Sequence, residues 1–462
     1  MSSGADLCLV GRVVTRGERE PERAELVVSG GRIAEVRALR GKAAGLPSPA
    51  RRIDVGDAYL LPGGIDCHVH SGSHPGEGIA ALTRSAAAGG VTTVVDMPYD
   101  ATGPVVDGSV FAEKSRRVEK EAVVDVALLG TVRPGPDAEG VKALVGAGAV
   151  GFKLSLFCTD PRRFPRIHDD QFLQILEAIE QAGSIACVHA ENEEIIKPLI
   201  ERARRSGDSS PIAHCRSRPP VSETQAVLTV LEYARETGAR LHLCHLSLAR
   251  SVELASSYRA AGTKVSVETC PHYLCFSELD MAAQGGRLKI NPPLRSPADV
   301  EGLWHHVSSG AVDVVASDHA PWPISDKTRA DIFDNHSGAP GVETLLTVLG
   351  SRLLARGGSA CDLARLVSER PAELFGLSGQ KGSLAAGKDA DILAFDPDAD
   401  FVLHESDLHS NAGWSPYDKM SFTGRVVLTV SRGEVVFEGG RVLGMPGRGR
   451  LVKRATDGTD RG

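Results

Sequence analysis

Between residues 62 and 380, eight short apolar runs recur with room for a helix between one and the next. They are Gly64–His68, Val91–Asp96, Val124–Leu129, Val150–Lys153, Ile185–His189, Leu241–His245, Lys264–Glu268 and Val312–Ser317. Helical periodicity fills several of the gaps, as in Gln171–Ala182 and Glu223–Thr237. A helix between consecutive strands brings the chain back to start each strand in the same direction, so alternation of this kind predicts a parallel sheet covered by helices. Eight such units predict an α/β fold closed into a (β/α)8 TIM barrel, which needs roughly 250 residues. The chain has 462, and no fixed-period repeat points to a solenoid instead.

The two chain ends read differently. Leu7–Val10, Ala24–Val28, Ile33–Val36 and Tyr59–Leu61 are short strands separated by turn signals, with a Gly/Pro-rich linker at Gly41–Pro49. Asp391–Phe395, Phe401–Leu403, Val426–Ser431 and Glu434–Phe437 repeat that texture near the other end. The expected organisation is a small β-sandwich domain shared by residues 1–61 and 381–450, a catalytic barrel over 62–380, and a tail over 451–462. The basic run Arg448, Arg450, Lys453, Arg454 reads as part of a solvated tail.

Charge and cysteine usage narrow the partners. With 52 basic and 59 acidic residues the net charge is −7, so neither nucleic acid nor anionic lipid is an expected partner. No stretch approaches the roughly 18 apolar residues of a membrane span. Nine cysteines without a CxxC pair argue against a disulfide framework, and residues 1–30 show no apolar signal-peptide core. A cytoplasmic protein acting on a small molecule is expected.

The residues that end the apolar runs are chemically loaded. His68, Asp96, Lys153, His189, His245 and Asp318 lie at or just beyond the C-terminal ends of six strands. In a barrel those ends share one face, so distant residues converge there. His68 and His70 are two apart in an extended segment and point the same way, a spacing that suits a borderline-soft divalent metal such as zinc. His189, His245 and Asp318 add donors enough for two metals. His242 has the opposite parity to His245 and is expected to face outward. Lys153, after an apolar run, must be paired, neutralised or modified. Asp318 could be a ligand, a general base, or both.

Several segments together resemble the cyclic amidohydrolases, a group that includes allantoinases, hydantoinases or dihydropyrimidinases, and dihydroorotases. They are Pro62-Gly-Gly-Ile-Asp-Cys-His68-Val-His70, Gly151-Phe-Lys153, Val188-His189-Ala-Glu-Asn192, His245-Leu-Ser247, Glu268-Thr-Cys-Pro-His272, Ser317-Asp318-His-Ala-Pro321 and Gly382-Ser-Leu-Ala-Ala-Gly-Lys-Asp-Ala-Asp391. The resemblance covers nearly the whole chain. It implies that CO2 carbamylates Lys153, which then bridges two divalent metals. His68, His70 and Asp318 would hold one metal, and His189 and His245 the other. Zinc is the expected metal, and manganese, cobalt or iron would accept the same ligands. Hydroxide would attack a ring amide carbonyl, with Asp318 passing its proton to the departing nitrogen. Relatives of this kind commonly form homotetramers.

The resemblance also bears on substrate. Dihydroorotases carry an arginine soon after the HxH pair, and Ser71-Gly-Ser-His-Pro-Gly76 has none. Hydantoinases place a tyrosine five residues after the lysine, where this chain has Cys158. Allantoinases lack that tyrosine and share Ser217-Arg-Pro219, the Cys270–Tyr273 segment, Ser415-Pro-Tyr417 and Gly424-Arg-Val. Allantoin opened to allantoate is therefore the expected reaction. A hydantoinase-like or other cyclic imide or lactam hydrolase is the alternative. A non-catalytic barrel relative acting in assembly and a mononuclear deaminase are outside readings. All six ligand positions are retained, against the first, and the second has no need of Lys153.

His74-Pro75-Gly76-Glu77 and Trp322–Lys327 depart from the allantoinase pattern, which makes His74 and Trp322 expected substrate contacts. Asn291 and Gly338 are expected contacts too, by analogy with a Gly-rich loop over Asn335–Glu343. His272 either supports the site or caps a loop, and His319 is expected to point away. The sequon at Asn335 is a chance match, and Gly63-Gly64 and Gly89-Gly90 read as turns.

Overall fold

A computed structural model describes residues 5–15, 21–39, 49–133, 135 and 138–454. Four strands open the chain: β1 (Leu7–Val13), β2 (Glu22–Ser29), β3 (Arg32–Ala38) and β4 (Arg51–Pro62). The middle then supplies β5 (Gly64–Val69), β6 (Val91–Asp96), β7 (Asp125–Leu128), β8 (Phe152–Ser155), β9 (Ala186–His189), β10 (Leu241–Leu243), β11 (Val265–Thr269) and β12 (Val314–Val315). Each of the eight expected apolar runs overlaps one of them. Four more close the chain: β13 (Ile392–Val402), β14 (Ser421–Ser431), β15 (Glu434–Glu438) and β16 (Arg441–Val442).

The middle strands pair in parallel, as β5-β6-β7 and as β8-β9-β10-β11-β12. Parallel bridges meet both seams: Gly130 pairs with Phe152, and Val69 pairs with His319 just after β12. Side chains alternate across these strands. Val95, Ala127, Cys187, Cys244, Val314 and Ala316 form an inner core, while Val94, Val126, Val188, Leu243, Val267 and Val315 pack outward against helices. Burial on both faces explains why the runs are apolar throughout and not alternating.

Helices lie between the strands, and local chemistry sets their ends. The helix Asp169–Gln181 buries Phe172, Ile175, Leu176 and Ile179 at helical spacing. It starts before the expected Gln171 because Asp169 and Asp170 favour the positive end of the helix dipole. Pro220 similarly starts the helix Pro220–Thr237 ahead of Glu223, since proline suits a first helical position. Among the described residues no helix is long and apolar enough to cross a membrane.

Both chain ends join one eight-stranded sheet, in the order β16-β15-β14-β13-β4-β1-β2-β3. Two packed layers were expected; the hydrogen bonds instead run without a break, because β4 pairs with β1 on one side and β13 on the other. Register shifts at Val10/Arg12, Val27/Val28, Ala394/Phe395 and Thr429/Val430 let such a sheet bend. One face buries Leu9, Leu26, Leu60, Ile392 and Val430 together.

A buried charge cluster fastens this sheet to the middle. Lys381 Nζ donates to Asp125 at 2.8 Å, Asp389 at 3.2 Å and Asp391 at 2.6 Å. Asp125 also accepts from Arg432 Nε at 3.1 Å and from the Arg450 backbone at 3.0 Å. The expected solvated tail is thereby corrected for its described part. Leu451 bridges to Val126, Val452 N–H donates to Val126 O at 2.8 Å, and Val452 is buried. An apolar pair beside an unpaired strand edge outweighs the nearby positive charges. Residues 455–462 and most of the Gly41–Pro49 linker lie outside the described residues. Lys381→Met leaves three carboxylates without their shared cation, and should destabilise the fold by about 3–5 kcal/mol in denaturant unfolding. A loss under about 1 kcal/mol would show that the cluster does not clamp the two parts.

Candidate metal centre and active site

Six of the expected residues converge on one chamber: His68, His70, Lys153, His189, His245 and Asp318 all line it. Lys153 Nζ lies 3.4 Å from His68 Nε2. Asp318 Oδ1 lies 3.2 Å from His68 Nε2 and 3.4 Å from His70 Nε2. His189 Nδ1 lies 3.1 Å from His245 Nε2, and the His68 and His245 rings are 5.1 Å apart. The ligand atoms of His68, His70 and Asp318 lie within 4.8 Å of one another. Imidazole nitrogens, a carboxylate and an amine gathered this closely fit divalent cations, because two facing imidazole nitrogens can share only one proton between them.

Local backbone departures aim these side chains. Between β5 and β6, Asp66 pairs with Val94 but Val69 pairs with Asp96, so β5 carries one extra residue there. That bulge lets Cys67 join the inner core and His68 also turn into the chamber. His245 follows the end of β10 with a φ of +40°, and Asp318 follows β12 with a φ of +48°. Both are left-handed conformations that side-chain-bearing residues rarely adopt, at a cost of about 1–3 kcal/mol each. Their surroundings hold them: the His245 N–H donates to Glu268 Oε1 at 2.9 Å, and neighbouring Ser317 N–H donates to Asp66 at 3.1 Å.

His242 corrects the parity argument. It faces inward and is buried, hydrogen-bonded to Ser266 Oγ at 2.9 Å and Glu268 Oε2 at 3.2 Å. Alternation holds along β10, where His242 shares its side with Cys244. It is His245 that leaves the pattern, through its positive φ, so counting back from it inverted the result.

Two buried carboxylates that sequence reasoning left without a role orient the chamber's histidines. Glu268 Oε1 accepts from His68 Nδ1 at 2.8 Å, which turns His68 Nε2 toward Lys153 and Asp318. Glu191 Oε2 accepts from His189 Nε2 at 2.9 Å and from Arg218, leaving His189 Nδ1 for the chamber. The available signal was position: Glu268 ends an apolar strand, and Glu191 stands two residues beyond His189. Asp96 takes a supporting place outside the chamber, accepting from Ser71 N–H at 2.9 Å and pairing with Lys114 at 2.9 Å.

The charges shift accordingly. Burial and Lys153 press the His68 imidazolium down, but Glu268 and Asp318 outweigh them and lift it to about 10. Burial lowers His245 and His70. Burial would raise Asp318, yet His68, His70 and His245 hold it far below the usual carboxylate range. An imidazole ligates only as the neutral ring, so protonation and cation binding at His68 exclude each other.

Asn291, Ser337, Gly338 and Trp322 form one wall of the chamber, and Thr159, Asp160, Arg163 and Phe164 another. With its amide turned to satisfy its neighbours, Asn291 accepts from Arg218 Nη2 at 3.3 Å. Lys327, fully buried, donates to the carbonyls of Lys289 at 2.8 Å, His336 at 2.7 Å and Gly338 at 2.6 Å, which fixes the Gly338 loop. His74, expected as a contact, does not line the chamber. Its Nδ1 is taken by the Gly76 N–H at 3.0 Å, and its ring packs edge-on to Trp322 at 6.1 Å. His319 also stays out, accepting at Nδ1 from Gly341 N–H at 3.0 Å. His272 is buried and likewise outside the lining.

A family model described as the amidohydrolase family matches residues 59–436. The chain belongs to this family. Over 98% of both chains it is 38% identical to an allantoinase of Rubrobacter xylanophilus. It is 34% identical to an L-hydantoinase of Paenarthrobacter aurescens, over 93% of this chain and 94% of that one. Among solved structures, the L-hydantoinase of Arthrobacter aurescens superposes with a TM-score of 0.93 at 33% identity, covering 97% of this chain and all of that one. A D-hydantoinase superposes at 0.90 with 29% identity, over 97% and 99%.

Within this amidohydrolase, the Glu191–Arg218 contact makes a pH prediction. Burial would raise the Glu191 carboxyl, but Arg218 and His189 hold it down to about 2, below its ordinary 4.5. A depressed carboxyl stabilises the fold above its unfolded value, and that contribution fades as pH falls from 4.5 toward about 2. Glu191→Gln should be less stable than wild type by about 3 kcal/mol at neutral pH. The gap should close through the acid window, as followed by denaturant unfolding; a pH-independent gap would contradict the assignment.

Proposed function

We propose that this protein is a metal-dependent cyclic amidohydrolase that opens the ring of allantoin to give allantoate. The observation that carries this reading is the gathering of four imidazoles, Lys153 and Asp318 in one chamber, in a chain alignable end to end with an allantoinase. The two parallel sheets and the bridges at both seams support a closed (β/α)8 barrel over residues 62–380. The sheet of residues 1–61 and 381–450 would be the attached β domain. A cytoplasmic homotetramer completes the proposal on family resemblance.

His68, His70 and Asp318 would hold one divalent cation, and His189 and His245 a second. Lys153, as a carbamate formed with CO2, would stand between them. The donor set suits zinc and also accepts manganese, cobalt or iron. When bound, such a pair supplies Lewis acidity and makes water a competent nucleophile near neutral pH. The remaining work belongs to the chain. Glu268 and Glu191 keep the His68 and His189 rings in place. Asp318, ionised because three imidazoles surround it, accepts the proton of the attacking water and hands it to the leaving ring nitrogen. Asn291 and the Gly338 loop orient the ring amide. Trp322 and Phe164 keep bulk water from the walls.

The absence of a tyrosine at Cys158 and of an arginine over Ser71–Gly76 supports allantoin over hydantoins and dihydroorotate. The close superposition on an L-hydantoinase favours hydantoin rings as the second reading. Protein reconstituted with divalent metal and bicarbonate should open allantoin with a kcat/KM at or above ~10⁴ M⁻¹s⁻¹. Hydantoin and dihydrouracil serve as parallel substrates, and a negligible allantoin rate at full metal content would overturn the substrate assignment. Asp318→Asn should retain metal substantially and lower kcat by at least ~10²-fold. Near-normal turnover in that variant would remove Asp318 from the proton transfer.

A further inference from the structure

The wall formed by Thr159–Phe164 was not anticipated, and it carries a paired charge. Asp160 O and N–H both bond to Phe164, closing a tight turn just beyond β8. Asp160 Oδ1 accepts the N–H groups of Arg162 and Arg163, each at 2.9 Å, and Oδ2 accepts Arg163 Nε at 3.3 Å. The turn is tied to the metal centre from two sides. Arg163 Nη1 donates to Ser73 O at 3.1 Å, and Ser73 Oγ lies 3.3 Å from His70 Nδ1. Phe164 stacks on Tyr99 at 3.8 Å, and the Tyr99 hydroxyl donates to Lys153 O at 2.8 Å.

Both charged side chains face the chamber, and among the described residues Arg163 Nη2 has no hydrogen-bond partner. The wall therefore offers N–H donors beside carboxylate lone pairs, with nearly cancelling charge. An aryl substituent on the ring would leave both groups desolvated and unmatched. A carboxylate substituent would meet Arg163 but be repelled by Asp160. A neutral ureido group has a carbonyl oxygen beside an N–H₂, the complement of this pair.

We propose that Asp160 and Arg163 are specificity-determining residues that read a ureido substituent on the ring, its carbonyl accepting from Arg163 and its terminal amide donating to Asp160. This deepens, and rests on, the reading of the chamber as a cyclic amidohydrolase site. Trp322 lines the same chamber.

The test compares wild type, Arg163→Leu and Asp160→Asn, each metal-loaded, on allantoin, unsubstituted hydantoin and hydantoin-5-acetic acid. In Arg163→Leu the allantoin-to-hydantoin ratio of kcat/KM should fall by about 10- to 100-fold, the scale for losing a hydrogen bond to a charged group. Asp160→Asn should raise the rate on hydantoin-5-acetic acid relative to allantoin, a gain that a folding defect cannot produce. Ratios that stay within about threefold of wild type in both variants would overturn the proposal. A wild type that opens hydantoin but not allantoin would also overturn it while keeping the reaction class. A metal-loaded wild type that opens none of the three would overturn the functional reading beneath it.

Discussion

Glu268 is the point on which the chamber's geometry turns. Its two oxygens meet His68, His242, the His245 backbone and the Cys67 thiol at the end of β11, with no exposure to solvent. A carboxylate in such surroundings survives ionised only because imidazoles and N–H groups converge on it; burial alone would raise it, and they hold it well below its usual value. It fixes the His68 ring and secures the strained turn at His245. Two residues from different strands are thus set by one acceptor.

The same economy recurs around it. Glu191 stands between His189 and Arg218, and Arg218 reaches on to Asn291, so two sides of the chamber share a partner. Lys327 holds the Gly338 loop through three carbonyls and no carboxylate. Burial presses that group well below its ordinary value, so the loop is held by N–H donation to carbonyls and not by an ion pair. Strain at His245 and Asp318 is held by the hydrogen bonds beside each turn, to Glu268 and through Ser317 to Asp66, which is the condition for such strain to persist.

Much of this was legible along the chain because its cause is local. Eight apolar runs became eight parallel strands, since burial on both faces leaves no choice of residue type. His68, His70, Lys153, His189, His245 and Asp318 met because parallel strands send their C-terminal ends to one side. His242, by contrast, was misread from a parity that a single positive φ had broken. His74 was misplaced because a loop side chain can turn to its own backbone, here to Gly76, as readily as to a pocket. The wall at Asp160 and Arg163 was silent, because charged residues in a turn resemble any solvated loop until packing faces them inward.

Local pattern was enough to set the alternation of strands and helices, the direction of the strands and the histidines, lysine and aspartate at their ends. Those follow from periodicity and residue chemistry, which act over a few residues. Which carboxylate serves which histidine, how the bulge in β5 aims His68, and where the C-terminal segment lies were settled by packing across the fold. These depend on distances between atoms far apart in the chain, and on buried groups finding partners that no local pattern names.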